Sequence, residues 1–117
     1  MMRRFTYPFL GAALLLAACA SNQTVSPDLT VTIPSTPEAK WTFSSRTQWG
    51  DPVRTTIYID GRPLTGVVEL SPGDMIATYQ GHVIRAQCKT EYKKGAAFGS
   101  GSCYIFVDGV QTGILLL

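Results

Sequence analysis

The amino-acid sequence predicts an all-β fold, a small antiparallel sandwich or partly open barrel of about seven strands. From residue 40 onward, apolar and polar residues alternate with a period of two, and turn residues interrupt them at short intervals. No segment of ten or more residues there has apolar residues at the helical spacing of three and four. Two cysteines, Cys88 and Cys103, lie in the same region and are expected to join it by one disulfide.

Length and charge limit the classes of function. A chain of 117 residues, 45% of them hydrophobic and 15% charged, forms one domain at most. Two of its ten basic residues are Arg3 and Arg4, so the chain after residue 18 carries eight basic and eight acidic side chains. A protein that binds a polyanion needs a surplus of basic charge. The balance therefore argues against nucleic acid as a partner.

The first 18 residues have the pattern of a signal peptide. Residues 1–4 are basic, and residues 5–17 are apolar at all but three positions. This apolar stretch is too short to span a bilayer as a helix, which takes about 20 residues. The stretch is closed by Leu16-Ala17-Ala18-Cys19.

Leu16-Ala17-Ala18-Cys19 resembles the lipobox of bacterial lipoproteins, in which a hydrophobic residue and two small residues precede an obligatory cysteine. The resemblance implies cleavage after Ala18, a diacylglyceryl thioether on Cys19 and a fatty acyl chain such as palmitate on the new amino group. Two or three acyl chains together anchor a protein stably to a membrane, whereas one chain does so only marginally. The alternative is an ordinary signal peptide that ends beside a chance cysteine.

The residue after Cys19 bears on the destination of the protein. Ala20 is not the aspartate that retains lipoproteins of enteric bacteria in the inner membrane. The resemblance therefore implies a lipid anchor in the outer membrane, with the domain on the periplasmic face.

The number of cysteines agrees with an exported protein. Three cysteines would leave one unpaired, and lipidation of Cys19 accounts for the odd one. Cys88 and Cys103 then meet in an oxidising compartment, where a disulfide across their 15-residue separation is worth roughly 3 kcal/mol. Two buried reduced thiols are the alternative. The chain has no Cys-x-x-Cys motif and a single histidine, His82, so we expect neither a redox site nor a metal site.

Residues 19–38 are expected to form the lipidated N-terminus and a flexible tether before a β-domain over residues 39–117. The segment is rich in Ser, Thr, Asn, Gln and Pro, and such a composition buries too little surface to offset its ordering entropy. As a coil it would reach about 25 Å. Residues 29–33 are a candidate for a short edge strand within it.

The β-domain divides at its turn residues. The candidate strands are residues 40–45, 53–59, 63–70, 75–79, 82–92, 102–107 and 110–116. Asp60-Gly61 and Asp108-Gly109 fit type I′ hairpin turns. Each of these turns is followed by Thr-Gly and two branched residues, which is either a duplicated binding hairpin or two hairpins with the same turn chemistry. In the second case Gly66 and Gly113 mark bulges or bends.

Residues 82–92 give the clearest strand. Ile84, Ala86 and Cys88 point to one face, and the charged residues between them point to the other. If Cys88 lies opposite Cys103, then Thr90 lies opposite Gly101. The hairpin then ends in a loop over residues 93–98.

That loop supplies the candidate contact surface, which consists of Lys93, Lys94 and Phe98. An exposed aromatic residue beside two lysines on a stapled hairpin is a suitable contact for a partner. The alternative is a flexible, solvated loop with Phe98 folded back onto the sheet. Trp41, Phe43 and Trp49 form either an aromatic recognition patch or part of the core. The apolar C-terminus, residues 114–117, predicts a last strand inside the sheet, and an exposed edge that accepts a partner strand is the alternative.

The sequence offers little catalytic chemistry. His82 follows a Gln-Gly turn, and most of the acidic residues neighbour Gly or Pro in turns, so turn geometry explains their positions. We therefore expect no catalytic residue, no cofactor and no small-molecule substrate. An enzyme that uses His82 is the least favoured of three hypotheses.

The favoured hypothesis is a non-catalytic outer-membrane lipoprotein whose β-domain binds an envelope protein or helps to assemble an envelope complex. The alternative is a small lipoprotein inhibitor of a cell-wall hydrolase such as lysozyme. Lys94-Gly95-Ala96-Ala97-Phe98 is similar to the inhibitory loop of that class but has no serine before the glycine and no tyrosine.

Overall fold

The computed structural model describes residues 22–117, which form ten β-strands in two antiparallel sheets and contain no helix. The signal peptide, the lipobox and Cys19 lie outside the described residues. The strands are β1 (Gln23–Val25), β2 (Leu29–Ile33), β3 (Thr36–Gln48), β4 (Arg54–Ile59), β5 (Arg62–Pro63), β6 (Val68–Ser71), β7 (Asp74–Tyr79), β8 (His82–Glu91), β9 (Ser100–Val107) and β10 (Val110–Leu116). The expected all-β class is confirmed, and the sheets curl into a half-barrel.

Sheet A is built around β3. Strand β4 pairs with one edge of β3, and the short β5 continues the sheet beyond β4. The other edge of β3 is shared by two strands in line. β1 pairs with its C-terminal end, and β2 pairs with its N-terminal part.

The flexible tether expected over residues 19–38 is wrong for its described part, because β1, β2 and the start of β3 belong to the sheet. The candidate edge strand at 29–33 is confirmed as β2. Val31 and Ile33 are buried in the core, and Thr30 and Thr32, which alternate with them, face outward. Ser26 is also fixed, since its hydroxyl oxygen accepts a 2.8 Å hydrogen bond from the Ser45 amide. A polar, proline-containing segment thus gains order from strand pairing and alternate burial.

Sheet B is an antiparallel meander in the order β10-β9-β8-β7-β6. Cys88 and Cys103 lie opposite each other on β8 and β9 and form the expected disulfide, and Thr90 lies opposite Gly101 as expected. The candidate strand at 63–70 is divided into β5, a loop and β6. Gly66, with a φ of 65°, lies in that loop.

The last strand differs from the expectation that it lies inside the sheet. Strand β10 is at the end of sheet B and packs beside β2 without a hydrogen-bonded ladder. A bulge shifts its register between Gln111 and Gly113, and a Cβ on Gly113 would come within 2.7 Å of the Leu29 side chain. Only Leu115 of the C-terminal apolar run is fully buried. Alternation along the strand sends its neighbours to the outer face.

The core lies between the sheets. It contains Trp41 and Phe43 from β3, so these two aromatic residues fill the core and do not form a surface patch. The other buried members are Val31, Ile33, Ile57, Ile59, Ile84, Ala86, Cys103, Ile105, Val107 and Leu115. Trp49 is buried outside this cluster, at the far end of β3.

The hairpin turns agree with the sequence. Asp60-Gly61 and Asp108-Gly109 have positive φ at both residues, with values between 50° and 82°. Gln80-Gly81 has the same geometry between β7 and β8. The Gln-Gly pair predicts a turn at this position but does not define its type.

Candidate interaction surfaces

The domain has two ends, which the strand register defines. The loop end carries Asn22, Trp49, Tyr92 and the loop over residues 93–99. The turn end carries the three glycine turns together with Trp41 and His82. Trp41 lies in β3 and Trp49 directly follows β3, eight residues later. At the rise of an extended strand, this spacing separates the two ends by about 26 Å.

His82 and Asp108 form a pair at the turn end. Nδ1 of His82 lies 2.6 Å from Oδ2 of Asp108, and the Val83 amide donates a 2.9 Å hydrogen bond to Oδ1 of Asp108. These hydrogen bonds lower the pKa of the Asp108 carboxyl, with the His82 contact as the larger cause. The His82 ring also packs edge-on against Trp41, with centroids 5.3 Å apart.

This pair resembles part of a catalytic triad only in composition. A triad needs a nucleophile hydrogen-bonded to the second ring nitrogen. Among the side-chain hydrogen bonds of residues 22–117, none joins His82 to a serine, threonine or cysteine. The geometry therefore describes a contact that attaches the turn between β9 and β10 to the start of β8.

The two Asp-Gly turns use their carboxylates in the same way. Asp60 donates its amide to the Thr42 carbonyl and accepts the Thr42 amide on Oδ1. Asp108 makes the equivalent two hydrogen bonds with Val83. Because both carboxylates are engaged with the neighbouring strand, the geometry favours shared turn chemistry over a duplicated binding hairpin.

Trp49 organises the loop end. Its ring stacks on Tyr92 with centroids 6.1 Å apart, and its indole nitrogen donates a 2.9 Å hydrogen bond to the Thr24 hydroxyl oxygen. Tyr92 in turn donates a 2.6 Å hydrogen bond to the Ala96 carbonyl. The loop beyond β8 is therefore folded and attached to both sheets.

Lys93, Lys94 and Phe98, the contact surface expected from the sequence, come together on this loop. All three side chains are exposed, and Phe98 keeps 50% of its surface accessible. Half of the Phe98 side chain is covered and half faces solvent, so the ring is not folded fully onto the sheet. Its neighbour Gly99 packs against the Trp49 ring, where a Cβ would lie 2.7 Å from the nearest ring carbon.

The outer faces of the two sheets differ in chemistry. Most outward residues of sheet A are polar, and they are Thr30, Thr32, Lys40, Thr42, Ser44, Arg46, Gln48, Arg54 and Thr56. The exceptions are Val25 opposite Arg46, Tyr58, whose ring lies under Arg46, and Pro63 opposite Tyr58. The outward residues of sheet B include an apolar set that we call the apolar face, which consists of Val83, Tyr104, Phe106, Ile114 and Leu116. Four of these five side chains are at least 40% exposed, and Phe106 is half-buried.

An ion pair crosses sheet B beside the apolar face. Arg85 donates to both carboxylate oxygens of Asp74, over 3.0 Å from Nε and 2.7 Å from Nη2. The Arg85 hydrogen bond lowers the pKa of Asp74, and the same contact raises the pKa of Arg85. Because the two charges compensate each other, this part of the face carries no net charge.

The apolar face was not predicted from the sequence. The signal was present in residues 103–107 and 114–117, where apolar residues follow one another without a polar residue at alternate positions. Such a run is typical of a strand buried on both faces. Here one face is buried and the other is open.

A crevice lies on the open side of the half-barrel, between β4 and β7. Its volume is about 230 Å³, and its lining includes Ile57, Leu64, Met75, Ile84 and Ala86. This volume is below the roughly 300–1,000 Å³ of most small-molecule sites. The crevice is the gap where the two sheets part.

Within residues 22–117, no group of three His, Cys, Asp or Glu side chains is placed to hold a metal ion, and no helix is long and apolar enough to cross a membrane. No protein-family model, curated protein or solved structure matches the chain.

Proposed function

We propose that the protein is a non-catalytic lipoprotein, anchored through Cys19 on the periplasmic side of the outer membrane, whose β-domain binds another envelope protein. The observation that carries the binding role is the apolar face of sheet B. The lipid anchor is supported by the lipobox-like Leu16-Ala17-Ala18-Cys19. The Cys88–Cys103 disulfide supports export, because such bonds persist in oxidising compartments.

The apolar face has the properties of a protein-binding surface. Contiguous exposed apolar patches are uncommon on monomeric proteins and mark interaction sites. Tyr104 and Ile114 are neighbours across β9 and β10, and Leu116 extends the patch along β10. The polar outer face of sheet A serves as a comparison within the molecule, since it shows the ordinary composition of a solvated sheet face.

The chemistry of the face defines the partner. Asp74 accepts hydrogen bonds from Nε and Nη2 of Arg85 and leaves other N–H groups of the guanidinium free. The face therefore fits a protein that presents apolar side chains and one hydrogen-bond acceptor for those groups. A charged partner surface would be desolvated without compensation there. The partner is therefore an envelope protein with a largely uncharged docking surface.

Site-specific photo-cross-linking in intact cells tests this function. A photoreactive residue at position 114, on the apolar face, is expected to give one defined adduct that disappears in the Tyr104→Lys variant. The same residue at position 32, on the outer face of sheet A, is the matched control and is expected to give none. Equal adducts from both positions, or adducts that survive Tyr104→Lys, would overturn the proposal. An adduct of twice the chain mass would identify a second copy and would also overturn it.

A further inference from the structure

The first described residue is held firmly at the loop end of the domain. The Asn22 side-chain amide donates a 2.9 Å hydrogen bond to the Trp49 carbonyl, and the Trp49 amide donates a 3.0 Å hydrogen bond to the Asn22 carbonyl. Trp49 itself is almost fully buried. Strand β1 begins at the next residue, Gln23, so the chain enters the fold at a fixed point.

The distance from this point to Cys19 is short. The two positions are three steps apart along the chain, with Ala20 and Ser21 between them, and a fully extended chain spans at most about 11 Å over that length. The polar headgroup layer on each side of a bilayer is about 5–7 Å thick. A lipid attached to Cys19 therefore brings Asn22 to the headgroups or to their edge, while the turn end stays about 26 Å away along the strands.

The loop end also carries side chains that suit a lipid surface. Phe98, Leu116 and Val25 are 50%, 63% and 64% exposed, and all three lie within the last rungs of the sheets at this end or in the loop beyond it. Lys93 and Lys94 begin this loop, and the carboxylates of Glu91 and Asp51 lie near Lys93 and Lys94 respectively. The turn end exposes Asp60 and Asp108 together with Lys40 and Arg62, and its exposed large apolar residues are Val83 and Val110.

We infer that the loop end is a membrane-contact surface, in which Phe98 enters the headgroup layer of the bilayer and Lys93 and Lys94 meet the phosphates of the lipids. Phe98 offers apolar surface, which Phe, Trp and Leu side chains of interfacial segments bury at the boundary between headgroups and acyl chains. Lysines keep their ammonium groups in the polar layer while their alkyl stems cover apolar surface. The inference rests on the proposed anchor at Cys19, and it assigns the contact surface expected from the sequence to lipid instead of protein.

Depth-dependent quenching of tryptophan fluorescence tests this inference. The full-length lipidated protein, with acyl mass confirmed, is placed in vesicles of phosphatidylethanolamine and phosphatidylglycerol whose acyl chains carry bromine. The Phe98→Trp variant is expected to add emission that is quenched several-fold more than the emission added by Lys40→Trp at the turn end. Trp41 and Trp49 contribute the same background to both variants.

Lysine labelling gives a second test without any substitution. A water-soluble acylating reagent is expected to modify Lys93 and Lys94 several-fold more slowly than Lys40 when the lipidated protein is bound to the same vesicles. Equal quenching of the two tryptophan variants together with equal labelling would overturn the membrane-contact surface and leave the anchor intact. A protein that carries no acyl mass would overturn the anchor, and the inference with it.

Discussion

Gly99 shows how one residue fixes the loop end. Its backbone lies against the Glu91 carbonyl and the Trp49 ring, and a Cβ would come within 2.7 Å of that ring. Trp49 is buried and stacked on Tyr92, so it cannot move aside without loss of packing. We expect Gly99→Ala to lower the free energy of unfolding by about 1–3 kcal/mol.

Urea denaturation checks this expectation. Ser100→Ala alters the exposed neighbouring position and is the control, with an expected change within about 0.5 kcal/mol. Equal stability of the two variants would show that the loop end accommodates a methyl group and that Trp49 is not tightly packed.

Ser45 is a buried residue whose hydroxyl has no hydrogen-bond partner in the described part of the chain. A buried, unsatisfied hydroxyl costs free energy that alanine at the same position avoids. We expect Ser45→Ala to raise the free energy of unfolding by about 1 kcal/mol. Ser26→Ala removes the acceptor of the Ser45 amide and is expected to lower it by about 1 kcal/mol. Thermal melts of both variants show whether each substitution raises or lowers the stability of the fold. A loss of stability in Ser45→Ala would contradict this account.

At the scale of elements, the contact between Asp108 and His82 attaches the β9–β10 turn to β8. The pKa of Asp108 is lowered in the folded state, so its stabilising effect is present above the unfolded value of about 3.9 and is lost as the pH falls through the lower folded value. We expect Asp108→Asn to be less stable than the native protein at pH 7 and the difference to shrink below about pH 4.

Thermal melts between pH 7 and pH 2 measure this difference. Asp51→Asn removes one formal charge at the opposite end and is the control. A stability difference for Asp108→Asn that stays constant down to pH 2 would mean that the carboxylate charge does not contribute.

The disulfide joins β8 and β9 at directly opposite residues. Its removal in the Cys88→Ala, Cys103→Ala variant is expected to lower the free energy of unfolding by roughly 3 kcal/mol, in line with the 15-residue loop that it closes. Urea denaturation with and without reductant checks this, since the native protein under reductant should approach the variant. A negligible loss would show that strand pairing alone determines this hairpin.

The elements differ in how well the sequence predicts them. Strands with one buried face, such as β8, and hairpins with an Asp-Gly turn were predicted because their signals are local. The strands β1 and β2 were missed or left as a candidate because their polar composition resembles a linker. Their order comes from pairing with β3, whose partner residues lie 8 positions away at Thr32 and 25 positions away at Gln23. Local composition does not contain that information.

The candidate surfaces also include some features that the sequence predicted and one that it did not. Cys88, Cys103 and the exposed loop at Phe98 were predicted, since turns and cysteine spacing are readable in the chain. The apolar face was not, because an apolar run does not show whether both of its faces are covered. The two-sheet arrangement decides this, and it leaves the outer side of sheet B open.

At the scale of the whole molecule, the proposed anchor and the apolar face have a defined position relative to each other. The strands run from the loop end to the turn end, so the apolar face lies alongside the axis that leads away from the proposed membrane contact. A partner would approach from the side, within about 26 Å of the lipid headgroups. With the proposed anchor on Cys19, the two residues between Cys19 and Asn22 would hold the face at that height.

Lengthening the segment between Cys19 and Asn22 is expected to weaken partner binding while the membrane anchor is kept. A flexible insertion of about 20 Gly and Ser residues between Ser21 and Asn22 has an average end-to-end distance of roughly 25 Å, so the domain could move that far from the membrane. The cross-link from position 114 should then weaken, because the effective concentration of a membrane-bound partner falls. Cross-linking yield at equal protein level measures the effect, with stability unchanged as the control. An undiminished cross-link would show that the height of the domain is irrelevant to binding.

The most direct test of the central claim, a lipid-anchored and disulfide-stapled envelope protein, is the intact mass of the chain extracted from membranes, measured before and after reduction with alkylation. We expect a species that starts at Cys19 with the added mass of its acyl chains, and two thiols that become alkylated only after reduction. An unlipidated soluble species with a free Cys19 thiol would contradict the claim.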